Sequence, residues 1–223
     1  FTPSAPGATT IDVAGGGFTD SSGNSNSAAS QFNWTFDTAV PTMVITSSTV
    51  SDGATSNNST LAMIFTSNEA TTNFVVGDIS VSGGSLSSFN ASSSTVYTAT
   101  FTPSGNGAKT LDVAGGVFTD SAGNNNSAAT QFNWTYDTTG PSMAITSAEV
   151  SDGGISSNST LSMTFTSSEA TSNFVIGDIS VSGGALSSFN ASSSTVYTAT
   201  FTPSAQGATT IDVAGGGFTD SSG

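Results

Sequence analysis

The chain has 223 residues, with 15 Asp or Glu against one Lys or Arg, no His and no Cys, for a net charge of −14. A surface this anionic cannot neutralise phosphates, so nucleic acid and anionic membranes are excluded as partners and cations are favoured. Disulfides are excluded, and nucleophilic and His-based catalysis lack their parts, so no enzyme is expected. No apolar run reaches the roughly 18 residues of a membrane helix, so no membrane insertion is expected in this segment. In chain order, short runs of Val, Ile, Thr and Phe between Gly, Asn, Ser and Asp clusters predict strands near 42–47, 60–66, 73–77, 79–82, 86–90, 95–102, 108–113 and 130–136. Alternation assigns the inward faces: Met43 and Ile45; Leu61, Met63 and Phe65; Tyr97, Ala99 and Phe101; Leu111 and Val113; Phe132, Trp134 and Tyr136.

The sequence then repeats itself at a period of 100. Phe1-Thr2-Pro3-Ser4 returns at 101 and 201, QFNWTFDT (31–38) returns as QFNWTYDT (131–138), and FVVGDISVSGG (74–84) returns as FVIGDISVSGG (174–184). A strict long period marks an array of one module, whose role is length, spacing or multivalency. Seven or eight short strands per period predict an all-β fold of tandem immunoglobulin-like β-sandwich modules. The joint falls at DTAVP (37–41) and DTTGP (137–141), where proline stiffens the chain. This parse gives the C-terminal part of one module (1–40), a complete module (41–140) and a module lacking its last strand (141–223). That strand lies either outside this window on a longer polymer or on a neighbouring chain.

Several segments carry a family resemblance: TFTSSEAT (164–171), DISVSGGALSSF (178–189), YTATFTP (197–203), IDVAGGGFTDSSG (211–223) and the DT-x-x-P joint. Together they resemble the tandem bacterial Ig-like repeats of very large surface proteins. The resemblance implies an extracellular, cell-surface location and a role as stalk or extender of an adhesin. It also implies Ca²⁺ at the joints, because related extender modules bind it there.

Fourteen of the fifteen acids fall in repeating columns (12/112/212, 20/120/220, 37/137, 52/152, 69/169 and 78/178), and only Glu149 stands alone. Recent duplication explains much of this recurrence; topology is the stronger argument. In an up-and-down sandwich, the loop after the second strand carries Glu69, the long loop before the last strand carries Asp120 and Asn124, and the chain enters just after Asp37. These oxygens gather at one pole and could supply the protein share of a calcium shell of six to eight oxygens. The next joint would use Asp137, Glu169 and Asp220, with Asp52 nearby. The competing reading is a set of turn acids that bond their own backbone.

N-x-S/T sequons recur at Asn33, Asn58, Asn90, Asn133, Asn158 and Asn190, as glycan sites in a glycosylating host or as accidents of composition. Two functional readings follow. One is a structural filament or stalk built from adjacent copies of the repeat, open to lateral self-assembly along strand edges that lack Lys. The other is an adhesive repeat that binds glycans or a partner surface by avidity. Bland exposed Ser, Thr and Gly favour the first.

Overall fold

A computed structural model describes residues 1–71 and 73–223. The chain is built of strands: β1 (Gly7–Ile11), β2 (Phe32–Phe36), β3 (Met43–Ser47), β4 (Thr55–Ser56), β5 (Leu61–Ser67), β6 (Ile79–Ser82), β7 (Gly84–Ala91) and β8 (Val96–Pro103). They continue as β9 (Gly107–Val113), β10 (Phe132–Tyr136), β11 (Met143–Ser147), β12 (Leu161–Ser167), β13 (Ile179–Ser182), β14 (Gly184–Ala191), β15 (Val196–Pro203) and β16 (Thr210–Val213). Among the described residues, two short 3-10 turns, Val76–Asp78 and Ile176–Asp178, interrupt them.

Strands β3 to β10 form two sheets of a sandwich, one in the order β3-β5-β8-β7 and the other β4-β10-β9-β6. The next period repeats the first sheet as β11-β12-β15-β14 and the second as β13-β16. The register repeats as well: Phe65 faces Tyr97 and Phe165 faces Tyr197, each in an antiparallel ladder. The fold is therefore tandem immunoglobulin-like sandwiches at a 100-residue repeat. Spatially the chain groups into two compact units. One holds Phe1–Ser48, Leu61–Thr102 and Thr110–Phe132; the other holds Thr49–Thr60, Pro103–Lys109 and Asn133–Gly223.

The alternation in the sequence translates directly into burial. Leu61, Phe65, Phe101, Leu111 and Val113 are fully enclosed, and Met43, Met63, Tyr97, Phe132 and Trp134 nearly so. Period two forces this outcome, since successive side chains of a strand point to opposite faces. Trp134 and Phe118 are core residues.

Four features differ from the sequence reading. Residues 73–77 form no strand: Phe74 drops into the core, and the chain turns through the 3-10 segment to bring Ile79 onto the other sheet. That passage between sheets also replaces a simple up-and-down path. The two-residue strand β4 pairs in parallel with Thr135 and Tyr136, an edge too short to show a pattern. Lys109 points inward at 2% exposure, its Nζ donating to the Ser104 carbonyl at 3.4 Å. Finally, β14 slips register between Ser187 and Asn190, with Ser188 at φ 52°, and Ser88 of β7 adopts the same φ; the extra residue shifts the inward face from Leu186 to Phe189 in β14 and from Leu86 to Phe89 in β7.

Gly84 and Gly184 mark the tightest approach between backbone and core. A Cβ at Gly84 would overlap the Phe101 ring and the Thr102 carbonyl, and one at Gly184 would overlap Phe201 and Thr202.

The burial pattern gives a direct test. Phe165→Ala should cost about 3–5 kcal/mol in denaturant unfolding, because Phe165 is fully enclosed, whereas Val44→Thr, at a 58%-exposed position, should change it by less than about 0.5 kcal/mol.

Candidate metal centres

Among the described residues, two groups of three carboxylates form. Asp37, Glu69 and Asp120 each present an oxygen, all within 4.8 Å of one another; Asp137, Glu169 and Asp220 do the same one period later. Asp120 is buried and the other five are half-buried.

Each carboxylate comes from a different element, and each is held by backbone. Asp120 organises its own turn: Oδ1 accepts the amides of Ala122 (2.8 Å), Gly123 (2.8 Å) and Asn124 (2.9 Å), and Oδ2 accepts Asn124 Nδ2 (2.9 Å). Glu69 sits on the loop after β5. That loop is pinned where Thr71 N donates to the Ser94 carbonyl (2.8 Å) and Tyr97 Oη donates to the Thr71 carbonyl (3.0 Å). The two loops meet at the Thr71–Asp120 bridge, and Asn73 Oδ1 accepts Thr119 N at 3.0 Å. Asp37 lies on the joint segment. Asn124 Nδ2 donates to the Asp37 carbonyl (3.3 Å), Ser127 N to the Pro41 carbonyl (2.9 Å), and Thr42 N to Asn68 Oδ1 (2.6 Å).

The second group repeats this frame with different clamps. Asp220 Oδ1 accepts the amides of Ser222 (2.7 Å) and Gly223 (3.1 Å). Asn106 Nδ2 donates to Asp137 Oδ1 (3.1 Å) and Thr139 Oγ1 (2.8 Å), while its Oδ1 accepts Thr138 N (3.2 Å). Asn57 Nδ2 donates to the Gly223 carbonyl at 2.7 Å. No sequence signal points to Asn106, whose counterparts are Pro6 and Gln206. Asn126 was equally hidden. Buried, it accepts Val117 N (2.8 Å) and Phe118 N (3.0 Å) and donates to the Ala114 and Ser127 carbonyls (both 2.8 Å), bracing the whole Asp120 loop.

The structure thus brings together six of the seven expected ligand carboxylates and amides through oxygen, and places the seventh, Asn124, with its nitrogen toward Asp120 and the Asp37 carbonyl. The remaining acid columns divide off as turn and strand acids. Asp52 Oδ1 accepts Asn133 N (2.6 Å) and lies outside both groups; Asp78 and Asp178 bond the amides of Val75 and Val175 (both 2.8 Å); Asp12 accepts Gln31 Nε2 (2.6 Å). Of the sequons, Asn33, Asn58, Asn90, Asn158 and Asn190 are exposed, and Asn133 is half-buried.

The electrostatics follow from the crowding. Loss of hydration pushes the Glu69 carboxyl above its ordinary 4.5, reinforced by the charges of Asp120 and Asp37; Glu169 is raised in the same way beside Asp220 and Asp137. Asp120 is held below 3.8, chiefly by the Asn124 amide. Two oxygens bound to one Ca²⁺ at about 2.4 Å lie at most about 4.8 Å apart, so the spacing within each group is one that a single metal ion could bridge.

A profile of the bacterial Ig-like domain matches residues 37–136 and again 137–223. The chain belongs to this bacterial Ig-like domain family. Both matches begin at an Asp of a carboxylate group. The crystal structure of invasin, a bacterial integrin-binding protein, aligns over 94% of this chain and 43% of its own, at 14% identity and a TM-score of 0.38. The structure of surface-layer protein SbsC, domains 4–9, aligns over 95% and 34%, at 13% identity and a TM-score of 0.28. The Ig-like chain therefore spans less than half the length of either. Curated proteins yield no match.

Glu149, the one acid outside the columns, has a role of its own. It accepts Ser162 Oγ (2.7 Å), Ser162 N (2.8 Å) and Ser147 Oγ (2.8 Å), which hold its carboxyl down at about 2. The preceding period has Thr49 and Ala62 at these places, so Ser162 is a matched partner as well as a tolerated surface change.

Two titrations follow. A raised folded pKa means that the metal-free folded state holds the Glu69 and Glu169 protons more tightly than the unfolded chain does. Stability should therefore rise as pH falls from 7 toward 4.5, relative to a Glu69→Gln/Glu169→Gln variant, and the trend should reverse once Asp120 protonates below 3.8. Urea melts across this range measure both slopes. Separately, carboxyl NMR should find Glu149 titrating near 2, and Ser162→Ala should move it back toward 4.5.

Proposed function

We propose that this chain is a non-catalytic structural segment of an extracellular stalk or filament, in which tandem Ig-like modules set length and a calcium ion stiffens each joint. The observation that carries the proposal is the recurrence of the carboxylate groups. Each combines one acid from the joint segment with two from loops of the module that follows, so a bound ion ties the linker to the module. The sole Lys is buried in β9, and a divalent cation offsets charges that the protein leaves crowded. Affinity in the range of about 10⁻⁴–10⁻³ M suits extracellular calcium.

Adjacent copies of the repeat are the partners in this reading. The exposed sequons Asn33, Asn58, Asn90, Asn158 and Asn190 would carry glycans in a glycosylating host, with Asn133 less open. The adhesive alternative is distinguished by whether the isolated chain binds glycans or a cell surface.

The test is a series with increasing numbers of repeats, measured by small-angle scattering and calorimetry with calcium and with chelator. The maximum dimension should grow in proportion to repeat number, calcium should extend it further, and Glu69→Gln with Glu169→Gln should weaken calcium binding by on the order of tenfold or more. Unchanged calorimetry and unchanged length on adding calcium would remove the ion from the proposal. Strong glycan binding by the 223-residue chain would replace the stalk with the adhesive reading.

A further inference from the structure

The loop between β8 and β9 carries a chemically reactive pair. Asn106-Gly107 is the only Asn-Gly step in the chain; the same place holds Pro6-Gly7 one period earlier and Gln206-Gly207 one period later. Asn is a labile residue, most of all before Gly, where no side chain hinders the backbone nitrogen that attacks its carboxamide. The structure keeps that nitrogen open. Asn106 is exposed, Gly107 sits at φ 107°, and nothing lies within 4 Å of the point a Cβ would occupy at Gly107. Pro6 has no carboxamide, and Gln206 would have to close a larger, slower ring.

The Asn106 carboxamide is also tied down. Its Nδ2 donates to Asp137 Oδ1 (3.1 Å) and Thr139 Oγ1 (2.8 Å), and its Oδ1 accepts Thr138 N (3.2 Å) and Thr138 Oγ1 (2.9 Å). Asp137 Oδ1 accepts Thr139 N as well, at 3.0 Å. Every one of these bonds ends on the joint segment. Ring closure turns the carboxamide toward the Gly107 nitrogen, so it has to leave them first.

We propose that Asn106 is a deamidation site, and that its conversion unlatches the joint segment in one direction only. When the bonds open, base removes the Gly107 amide proton and the nitrogen attacks Asn106 Cγ. The bond from Cγ to Nδ2 breaks, and ammonia leaves with a proton from solvent. Water then opens the cyclic imide at either carbonyl and leaves Asp or isoaspartate at 106. One water is consumed, one ammonia is released, and no electrons are exchanged. The product cannot donate to Asp137 Oδ1. A carboxylate now stands where the donor was, and the two like charges repel. Isoaspartate also adds a methylene to the backbone immediately before β9. Neither product restores the latch, and the step requires neither calcium nor a partner.

Peptide mapping by mass spectrometry tests this on the full chain, incubated at mildly alkaline pH both folded and in urea. The Asn106 peptide should exchange NH₂ for OH while the Gln206 peptide stays intact, and conversion should be measurable but several-fold slower folded than in urea. Thr138→Val with Thr139→Val removes two of the bonds. It should speed conversion several-fold in the folded chain and leave the rate in urea unchanged; retained amide protection of β12 checks that the variant is folded. Amide exchange at residues 137–139 should quicken as product accumulates. Asn106→Asp should show the faster exchange from the start, and Asn106→Gln should show neither conversion nor drift. Equal rates folded and in urea, no conversion in the folded chain, a folded double variant no faster than wild type, or converted protein with unchanged exchange at 137–139 would each overturn the proposal.

Discussion

The contact on which the acid groups depend is apolar. Phe74 sits at the end of the loop that carries Glu69, and its ring meets Phe118, in the loop that carries Asp120, edge-on at 5.2 Å. It also meets Tyr97 at 4.9 Å and Phe89 at 5.8 Å, so one residue ties both loops to the sheet β3-β5-β8-β7. Edge-to-face pairs of this kind add about 0.5–1.5 kcal/mol each beyond the area they bury. Phe174 repeats the arrangement with Phe218 at 5.1 Å and Tyr197 at 4.9 Å. Three carboxylates within 4.8 Å repel one another. The aromatic cluster supplies the counterweight, and Tyr97 serves twice, through its ring and through its hydroxyl to the Thr71 carbonyl.

Acids of one composition class thus do two kinds of work. Asp78 and Asp178 close turns, in keeping with the habit of Asp to bond nearby amides, and Asp52 reaches across to the Asn133 amide of β10. Asp37, Glu69 and Asp120 come from three separate elements and converge at the joint. Asp120 belongs to both classes: the bonds that fix its turn also hold its charge in place and keep it ionised, while the pKa of Glu69 rises beside it. The joint is the place where the fold gathers its carboxylates.

Much of this was legible in the chain. Alternation at Met43/Ile45, Leu61/Met63/Phe65 and Tyr97/Ala99/Phe101 gave the buried faces, because a strand has no other way to sort its side chains. Asp37, Glu69 and Asp120 could be grouped from loop order alone. Phe74 was read as part of a strand because an apolar run of that length has no period to distinguish a strand from a turn that drops one ring into the core. The supporting amides of Asn126, Asn73 and Asn106 were not legible at all. In a chain this rich in Asn, an amide bonded to the loops, whether buried like Asn126 or exposed like Asn73 and Asn106, looks the same as a solvated one until its neighbours are known.

The sequence by itself determined the module, its period, the inward faces of its strands and the acids at its joints, since each is written in local pattern or in repetition. Tertiary structure alone decided which acids share a site and which asparagines brace it. Asn126 is buried and Asn125 exposed, although they are neighbours in one run of asparagines. Burial is a property of what lies opposite a residue, and no residue carries that information in its own identity.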